Sequence, residues 1–242
     1  MKRFAKSLLV IGSIAAAGTA SADWFEGFAP YLGVDAKWQN TQGKSDWKKV
    51  IPKNYWGGTV YVGSRFDNCW GLEFGFTETQ RKSKTHSFAA GENFFGNGDT
   101  GGAVTRVRNR FHNWHLDVNG YWPVDDCWEL IGSIGFGWMK PKVSVAVNNL
   151  GNGATGFFPL DGAALATTHG KARGVFRVGA GAQYMATDCL GLRAIARWEN
   201  TSTLRVDGNY GNRDPNSTIN YSALKKMFKD TYSVAFGAFW KF

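Results

Sequence analysis

Twelve ionisable residues stand at odd-numbered positions within otherwise apolar segments, and they are the candidates for chemistry in this chain. A set that contains both cations and carboxylates can form buried ion pairs or line a path for ions. His115, Asp117 and Glu73 could also support a nucleophile, as a His and a carboxylate do in hydrolases. The set comprises Asp35, Lys37, Arg65, Glu73, His115, Asp117, Glu129, Arg173, Arg177, Arg193, Arg197 and Glu199.

The segments that carry these residues alternate between apolar and polar positions. In the last of them, 230–242, the even-numbered residues form an apolar, aromatic face that includes Phe236, Trp240 and Phe242. This pattern predicts a strand with lipid on one side. A soluble protein would expose such a face at an aggregation-prone edge, whereas a closed membrane barrel has no free edge. The same alternation recurs in 28–39, 56–66, 70–77, 113–122, 128–138, 173–184 and 190–199.

Eight such segments predict an all-β fold, an eight-stranded antiparallel up-and-down transmembrane β-barrel. Three connections are tight and acidic, around Asp67, 125–126 and Asp188, whereas the other four are long. Short turns of such barrels face the periplasm and long loops face outside, so both termini are expected in the periplasm. The odd-numbered faces then line the lumen. The predicted long loops are 40–55, 79–105, 141–171 and 201–229.

Residues 1–22 have the features of a secretory signal peptide: a basic start, a short apolar run and small residues before the expected cleavage point. We therefore expect 23–242 to form one barrel domain. Aromatic residues make up 15% of the chain, 31 residues are Gly and the mean hydropathy is −0.29, values that are untypical of a helical membrane protein. The net charge of +9 suits an anionic lipid surface. Neither a nucleic acid nor a cofactor is predicted as a partner.

A turn-and-strand pattern recurs at three places: DNCWGLEFGF at 67–76, DDCWELIG at 125–132 and DCLGLR at 188–193. With this pattern the chain resembles the OmpA-like eight-stranded outer-membrane β-barrel family. The resemblance implies a location in the cell outer membrane, and we expect the barrel without the periplasmic peptidoglycan-binding domain that many members carry. The chain's end also resembles the signal that the outer-membrane insertion machinery reads. That signal would consist of Tyr232, Val234, Phe236, Trp240 and Phe242.

A group of cations is predicted on the lipid-facing side, just above the aromatic rim. Folding 113–122 and 128–138 about their turn places Arg110 opposite Lys140 and Arg108 opposite Lys142. Like charges that face each other across a hairpin are unfavourable unless an anion lies between them. Lipopolysaccharide phosphates lie at this height, and Arg binds phosphate with paired hydrogen bonds. The alternative is a set of solvated basic residues.

Three cysteines, Cys69, Cys127 and Cys189, each precede a lipid-facing residue at a short turn. Alternation predicts that their thiols point inward and are buried. Positions two strands apart are separated by about 10 Å, which is too far for a disulfide unless flexible turns bring two of the cysteines together. No metal site is predicted there, because neither a His nor a fourth Cys stands at a suitable spacing.

The lumen of an eight-stranded barrel is just wide enough to be filled by side chains. We therefore expect the charged set to pair and to fill the barrel. The long loops either bind host-surface ligands such as glycans or lipids, or form a mobile, variable cover over the barrel, and the cover is favoured. The predicted function is structural and surface-interactive. A low-conductance porin, anion-preferring because of the Arg residues, is the alternative. A lipid A-modifying enzyme is more remote, because no Ser stands beside His115 and Asp117 on the lipid-facing side; an enzyme is not predicted.

Overall fold

A computed structural model describes residues 28–45, 47–66, 69–89, 103–149, 166–169, 172–205 and 226–242. The predicted signal peptide, 1–22, lies outside these residues, as do the central parts of three predicted long loops. Within the described ranges, no helix has both the length and the apolar character needed to span a membrane.

The described residues form ten strands and one short helix, and every strand pairing is antiparallel. The elements are β1 (Ala29–Gly43), α1 (Trp47–Val50), β2 (Asn54–Phe66), β3 (Trp70–Thr79), β4 (Lys82–Phe88), β5 (Ala103–Pro123), β6 (Trp128–Asn149), β7 (Ala166–His169), β8 (Arg173–Met185), β9 (Leu190–Glu199) and β10 (Phe228–Lys241).

Eight of these strands close into a barrel, as predicted. The order is β1-β2-β3-β5-β6-β8-β9-β10, and β10 pairs with β1 to complete the ring. Leu116 is 44% exposed on the lipid side while its neighbour Asp117 is fully buried, and this alternation continues along the strands. We call the end with the three short turns the turn end, and the opposite end the loop end.

Two strands extend far beyond the barrel at the loop end. β5 has 21 residues and β6 has 22, about twice the 9–11 residues that cross a membrane. β4 pairs with the outer part of β5, and β7 pairs with the outer part of β6. The four strands, in the order β4-β5-β6-β7, form a projecting sheet that we call the ribbon. The prediction that 79–105 and 141–171 are loops is therefore wrong in extent.

The predicted register of the β5–β6 hairpin was wrong by two residues. Trp122 lies opposite Leu130 rather than Trp128, and Arg110 lies opposite Lys142 rather than Lys140. The backbone N–H groups of Val124 and Asp125 both donate to the Trp128 carbonyl, and the Asp125 carboxylate accepts from two further N–H groups of the turn. The turn is therefore longer than expected. A shift of two residues leaves every side chain on its predicted face.

The three cysteines are exposed and free, which corrects the prediction that they point inward. They lie just before the first residue of a strand, in the turns at the turn end. Alternation fixes the direction of a side chain only where both neighbours are paired in the sheet. The backbone of each turn does bind the wall: the Cys69 carbonyl accepts from the Tyr121 N–H at 2.8 Å, and Cys127 and Cys189 bind the next hairpins in the same way.

Candidate functional site

The interior of the barrel contains three kinds of packing. Near the turn end, Tyr31, Tyr61 and Phe239 form a buried aromatic cluster. The middle holds an ionic section of eight buried charged side chains, which are Asp35, Lys37, Glu73, Asp117, Arg177, Arg193, Arg197 and Glu199. The loop end is filled by an apolar plug, which comprises Trp47, Val50, Ile51, Tyr55, Val107, Phe111, Met139, Val143, Val175, Leu204, Met227 and Phe228.

Arg193 is the centre of the ionic section. Its Nε and Nη2 donate to the two oxygens of Asp35 at 3.1 and 2.7 Å, and its Nη1 donates to Glu73 Oε2 at 2.5 Å. The guanidinium also lies 3.5 Å from the ring centroid of Tyr61. Paired, charge-assisted hydrogen bonds are the strong ones, and a cation over an aromatic face adds to them. One side chain of β9 thus joins β1, β2 and β3 across the lumen.

The remaining charges form a looser chain. Lys37 Nζ lies 2.9 Å from Glu199 Oε1, and the Arg177 guanidinium lies 3.5 Å from both Glu199 and Asp117. Arg197 Nη2 is 3.8 Å from a carboxylate oxygen of Asp117 and from one of Glu73. The ionic section therefore contains four cations and four carboxylates, and its formal charge is zero.

A separate pair lies nearer the turn end. Arg65 binds both oxygens of Glu129, at 2.9 and 2.8 Å, and Gln183 donates to the same carboxylate. Arg173 differs from the rest of the predicted set, because it is the first residue of β8 and its side chain is exposed at the loop end. Without Arg173 the predicted lumen set has five cations and five carboxylates, so the expected excess of Arg is absent from the described lumen.

His115 is buried in the ionic section, and its ring covers Gly75: a Cβ atom at that glycine would lie 2.4 Å from His115 Nε2. Neither ring nitrogen has a hydrogen-bond partner within the described part of the chain. No Ser hydroxyl there is therefore bonded to His115, and a Ser–His pair of the hydrolase kind is not formed among these residues.

Glu73, His115 and Asp117 bring potential metal-ligating atoms within 4.8 Å of one another. The surrounding charge does not suit a metal ion. Arg193 already binds Glu73, and Arg177 and Arg197 lie 3.5 and 3.8 Å from Asp117 Oδ2. A divalent cation at this point would face three guanidinium groups at short range in a medium of low polarity. The two carboxylates fit ion pairing instead.

Several buried polar atoms of the ionic section lack a direct hydrogen-bond partner within the described residues. They include both donors and acceptors: Nη1 of Arg177, Nε of Arg197, both oxygens of Asp117 and Oε2 of Glu199. Water both donates and accepts, so bridging water suits this mixture better than an ion of either sign. The ion pairs among these side chains agree with the expectation that the charged set pairs and fills the barrel.

The apolar plug was missed by the sequence analysis. Its α1 helix carries Trp47 and Val50 into the barrel mouth, and both are fully buried. Phe111 packs against Tyr55 and Phe228 with ring centroids 5.2 and 5.3 Å apart. A signal was present: Trp47, Val50 and Ile51 have the i, i+3, i+4 spacing of an amphipathic helix. Val107 and Val143 continue the alternation of the two strands beyond the aromatic rim. They were therefore a second signal, for the outer parts of β5 and β6.

The outer cations lie on the outward face of β5 and β6, as predicted, but the residues opposite them across the hairpin differ from the prediction. Arg110 is opposite Lys142, Lys140 is opposite His112, and the exposed Arg108 is opposite Ser144. Arg110 Nη1 also lies 3.1 Å from Glu78 Oε1. Glu78 was overlooked, although it is the next even-numbered residue after Phe76 on the same strand.

Four residues of the proposed insertion signal lie on β10, and the fifth, Phe242, directly follows that strand. Tyr232, Phe236, Trp240 and Phe242 are 47–62% exposed, and Val234 on the same face is half-buried. These side chains point away from the lumen, whereas the alternate residues Ser233, Ala235 and Phe239 are buried.

Comparison with known proteins gives a family match and several similar folds. The family model described as outer membrane protein beta-barrel domain matches residues 7–238. Neisserial surface protein A, NspA, has 10% sequence identity and a TM-score of 0.52, over 90% of this chain and all of that one.

Two further solved structures are less similar in shape. OprG of Pseudomonas aeruginosa has 11% identity and a TM-score of 0.48, over 90% of this chain and 97% of that one. A major outer membrane protein of Thermus thermophilus has 14% identity and a TM-score of 0.46, over 88% of this chain and all of that one. No curated protein matches the chain.

Proposed function

The chain belongs to the outer membrane protein beta-barrel domain family, and from this premise we propose that it is a non-conducting barrel that stabilises the outer membrane and contacts lipopolysaccharide. Its location in the outer membrane follows from the family. The proposal concerns its role there, because barrels of this kind support many activities. Export would remove 1–22 and leave 23–242 as the barrel domain. The outward face of β10, with Trp240 and Phe242, would then be read by the insertion machinery.

The filled lumen is the observation that carries this proposal. Conduction requires a continuous hydrated path, and a narrow apolar constriction excludes water and ions. Here the plug covers the loop end of the ionic section. Its residues Val50, Val107 and Phe228 are fully buried. The ionic section itself has no net charge that would favour an anion. These features support a rigid, closed barrel over the porin alternative.

The lipopolysaccharide contact is supported by the height and direction of the outer cations. Trp114 and Trp138 are 42% and 49% exposed and lie opposite each other, as expected for the aromatic rim at a membrane interface. Lys140 is two residues beyond Trp138, about 7 Å along the strand. Lys142, Arg110 and Arg108 follow directly above. Phosphates at the membrane surface would neutralise this group, and Glu78 would orient Arg110 toward them.

Single-channel recording tests the closed lumen. The refolded barrel should give no ion steps in a planar lipid bilayer. The double variant Trp47→Ala/Phe111→Ala removes two large plug side chains and should produce steps, which shows that the assay detects an open form of the same barrel. Steady anion-selective steps from the unaltered protein, changed by Arg177→Ala, would contradict the proposal and favour the porin.

A further inference from the structure

We propose that the outward face of the ribbon binds an extended glycan that carries phosphate or sulfate groups. The binding strip is the row of Arg106, Arg108 and Arg110 on β5. It is flanked by Ser83 and Thr85 of β4 and by Lys142 and Ser144 of β6. This inference deepens the proposed surface role and rests on it, because it names a polymer above the membrane rather than lipid phosphates at the rim.

The three Arg side chains form a regular row. They occupy alternate positions of one strand, so neighbouring side chains are about 7 Å apart and the outer two about 13 Å. Arg106 and Arg108 are exposed. Arg106 Nε donates to Thr85 Oγ1 at 3.4 Å, whereas Arg108 has no ion pair or hydrogen bond with the described residues. Two of the three guanidinium groups are therefore without a carboxylate partner among the described residues.

The charge of the ribbon is of one sign. The segments 82–88, 103–112, 139–149 and 166–169 contain seven Lys or Arg residues and no Asp or Glu. Five of the seven lie on the outward face of β5 and β6, whereas Lys82 and Lys84 lie on the other face of β4. Glu78 lies below the strip and pairs with Arg110. Rows of like charge on neighbouring strands repel each other, and a ligand with several anionic groups relieves that repulsion at several points. Strong, salt-dependent binding of a polyanion is the expected consequence.

The height of the strip favours a sugar chain over lipid phosphates. Arg106 is eight residues beyond the rim residue Trp114 on β5. This is about 27 Å along the strand and about 20 Å above the rim at a strand tilt near 40°. Lipid phosphates lie near the rim, so they reach Lys140 but not Arg106. A polymer that extends away from the membrane can contact the whole row.

The side chains around the row suit sugars better than nucleic-acid bases. Ser83, Thr85 and Ser144 offer hydroxyl groups that can donate to and accept from sugar hydroxyls. The described outward-facing positions of the ribbon above His112 carry no Phe, Tyr or Trp. Single-stranded nucleic acids are normally held by stacking on such rings. Two sources can supply the ligand: the membrane's own lipopolysaccharide sugars or a free polysaccharide outside the cell.

Binding should be measured with the mature barrel in phosphatidylcholine nanodiscs and three probes: a heparin-derived oligosaccharide, lipopolysaccharide with its full sugar core, and lipid A alone. The variants are Arg106→Gln/Arg108→Gln, the rim variant Lys140→Gln, and Arg173→Gln as a matched control. Arg173 is an exposed Arg at the loop end that lies outside the strip. Heat-modifiable migration on gels confirms that each variant is folded.

The double variant should bind the oligosaccharide or the full-core lipopolysaccharide at least 10-fold more weakly. Lipid A binding should weaken by a much smaller factor, because only Arg108 of the two belongs to the group that lipid phosphates contact. The slope of log affinity against log salt should fall by about 1 for each lost contact. Oligosaccharide binding identifies a free polysaccharide as the source, and binding of full-core lipopolysaccharide alone identifies the membrane's own sugars. Either result supports the inference.

Three results would overturn the inference. The Arg106→Gln/Arg108→Gln variant could bind the glycan probes as tightly as the unaltered protein does, or the Arg173→Gln control could lose as much glycan affinity as that variant. Single-stranded DNA of matched charge could also compete for the strip as well as the glycan does. The proposed function is judged separately. If only lipid A binding responds, through Lys140→Gln, the lipopolysaccharide contact stands and the glycan strip fails. If lipid A never binds but the glycan does, the outcome is reversed.

Discussion

The ionic section and the apolar plug fill the same tube by different means. Every charged side chain of the ionic section comes from a strand, with Asp35, Arg177 and Arg193 on three different ones. The plug combines strand residues such as Phe111 with Trp47 of α1 and Leu204 of a loop. Ion pairs stabilise a buried site only when their geometry is accurate, which a rigid sheet provides. Apolar burial is not directional, so loop residues can supply it.

The largest effect should follow from removing the centre of the ionic section. Arg193→Met leaves the buried carboxylates of Asp35 and Glu73 without their main partner. We expect a loss of about 3–5 kcal/mol in the free energy of unfolding. The measurement is urea unfolding from lipid vesicles followed by Trp fluorescence. Arg173→Met, the same change at an exposed site, should stay within about 0.5 kcal/mol.

The triple variant Arg193→Met/Asp35→Asn/Glu73→Gln removes the charges together and should recover much of the loss, because a missing partner is more costly than a missing pair. If Arg193→Met alone were as stable as the unaltered barrel, the ionic section would not be a stabilising core. The contrast with the plug would then disappear.

A smaller and more local effect is expected in the plug. Ile51 is fully buried just after α1, and Ile51→Ala should weaken packing by about 2 kcal/mol, the low end for such a change in a core. Because α1 and Ile51 lie between the paired strands β1 and β2, we expect this connection to open without the barrel unfolding. Its proteolysis should then accelerate while the urea midpoint moves little. Ile51→Val should show a weaker form of the same behaviour. A midpoint shift as large as that of Arg193→Met would mean that the plug and the strands unfold together.

The smallest change in the free energy of unfolding is expected from substitutions at two glycines of the barrel wall. A Cβ atom at Gly237 would lie 2.1 Å from Asp35 Oδ1, whereas at Gly58 the nearest atom is 3.8 Å away. Gly237→Ala should therefore displace Asp35 from Arg193 and destabilise by about 1 kcal/mol, the low end for an overpacked site. Gly58→Ala should be neutral or stabilise by about 0.5–1 kcal/mol, since Ala loses less freedom in a strand. Equal urea midpoints for the two variants would show that the ionic section has room to adjust.

Much of this arrangement could be predicted, and the failures are specific. Alternation correctly placed Asp117 inside and Leu116 outside, and eleven of the twelve ionisable residues that it assigned to the lumen lie there. It failed at Arg173 and at Cys127, which stand at a strand end and in a turn. There the sheet no longer constrains the direction of a side chain. Glu78 was missed because a single carboxylate on a lipid-facing side had no obvious partner until the register was known.

The sequence by itself determined which face of each strand meets lipid and how many strands close the barrel. Those properties depend on a period of two residues, and they survive any shift of register by two. Only the tertiary structure decided which charges pair, how far β5 and β6 extend, and what fills the loop end. Those outcomes depend on turn length and on packing clusters that join residues as distant in sequence as Trp47 and Met227. No local pattern specifies such contacts, because apolar packing selects partners by shape in the folded barrel.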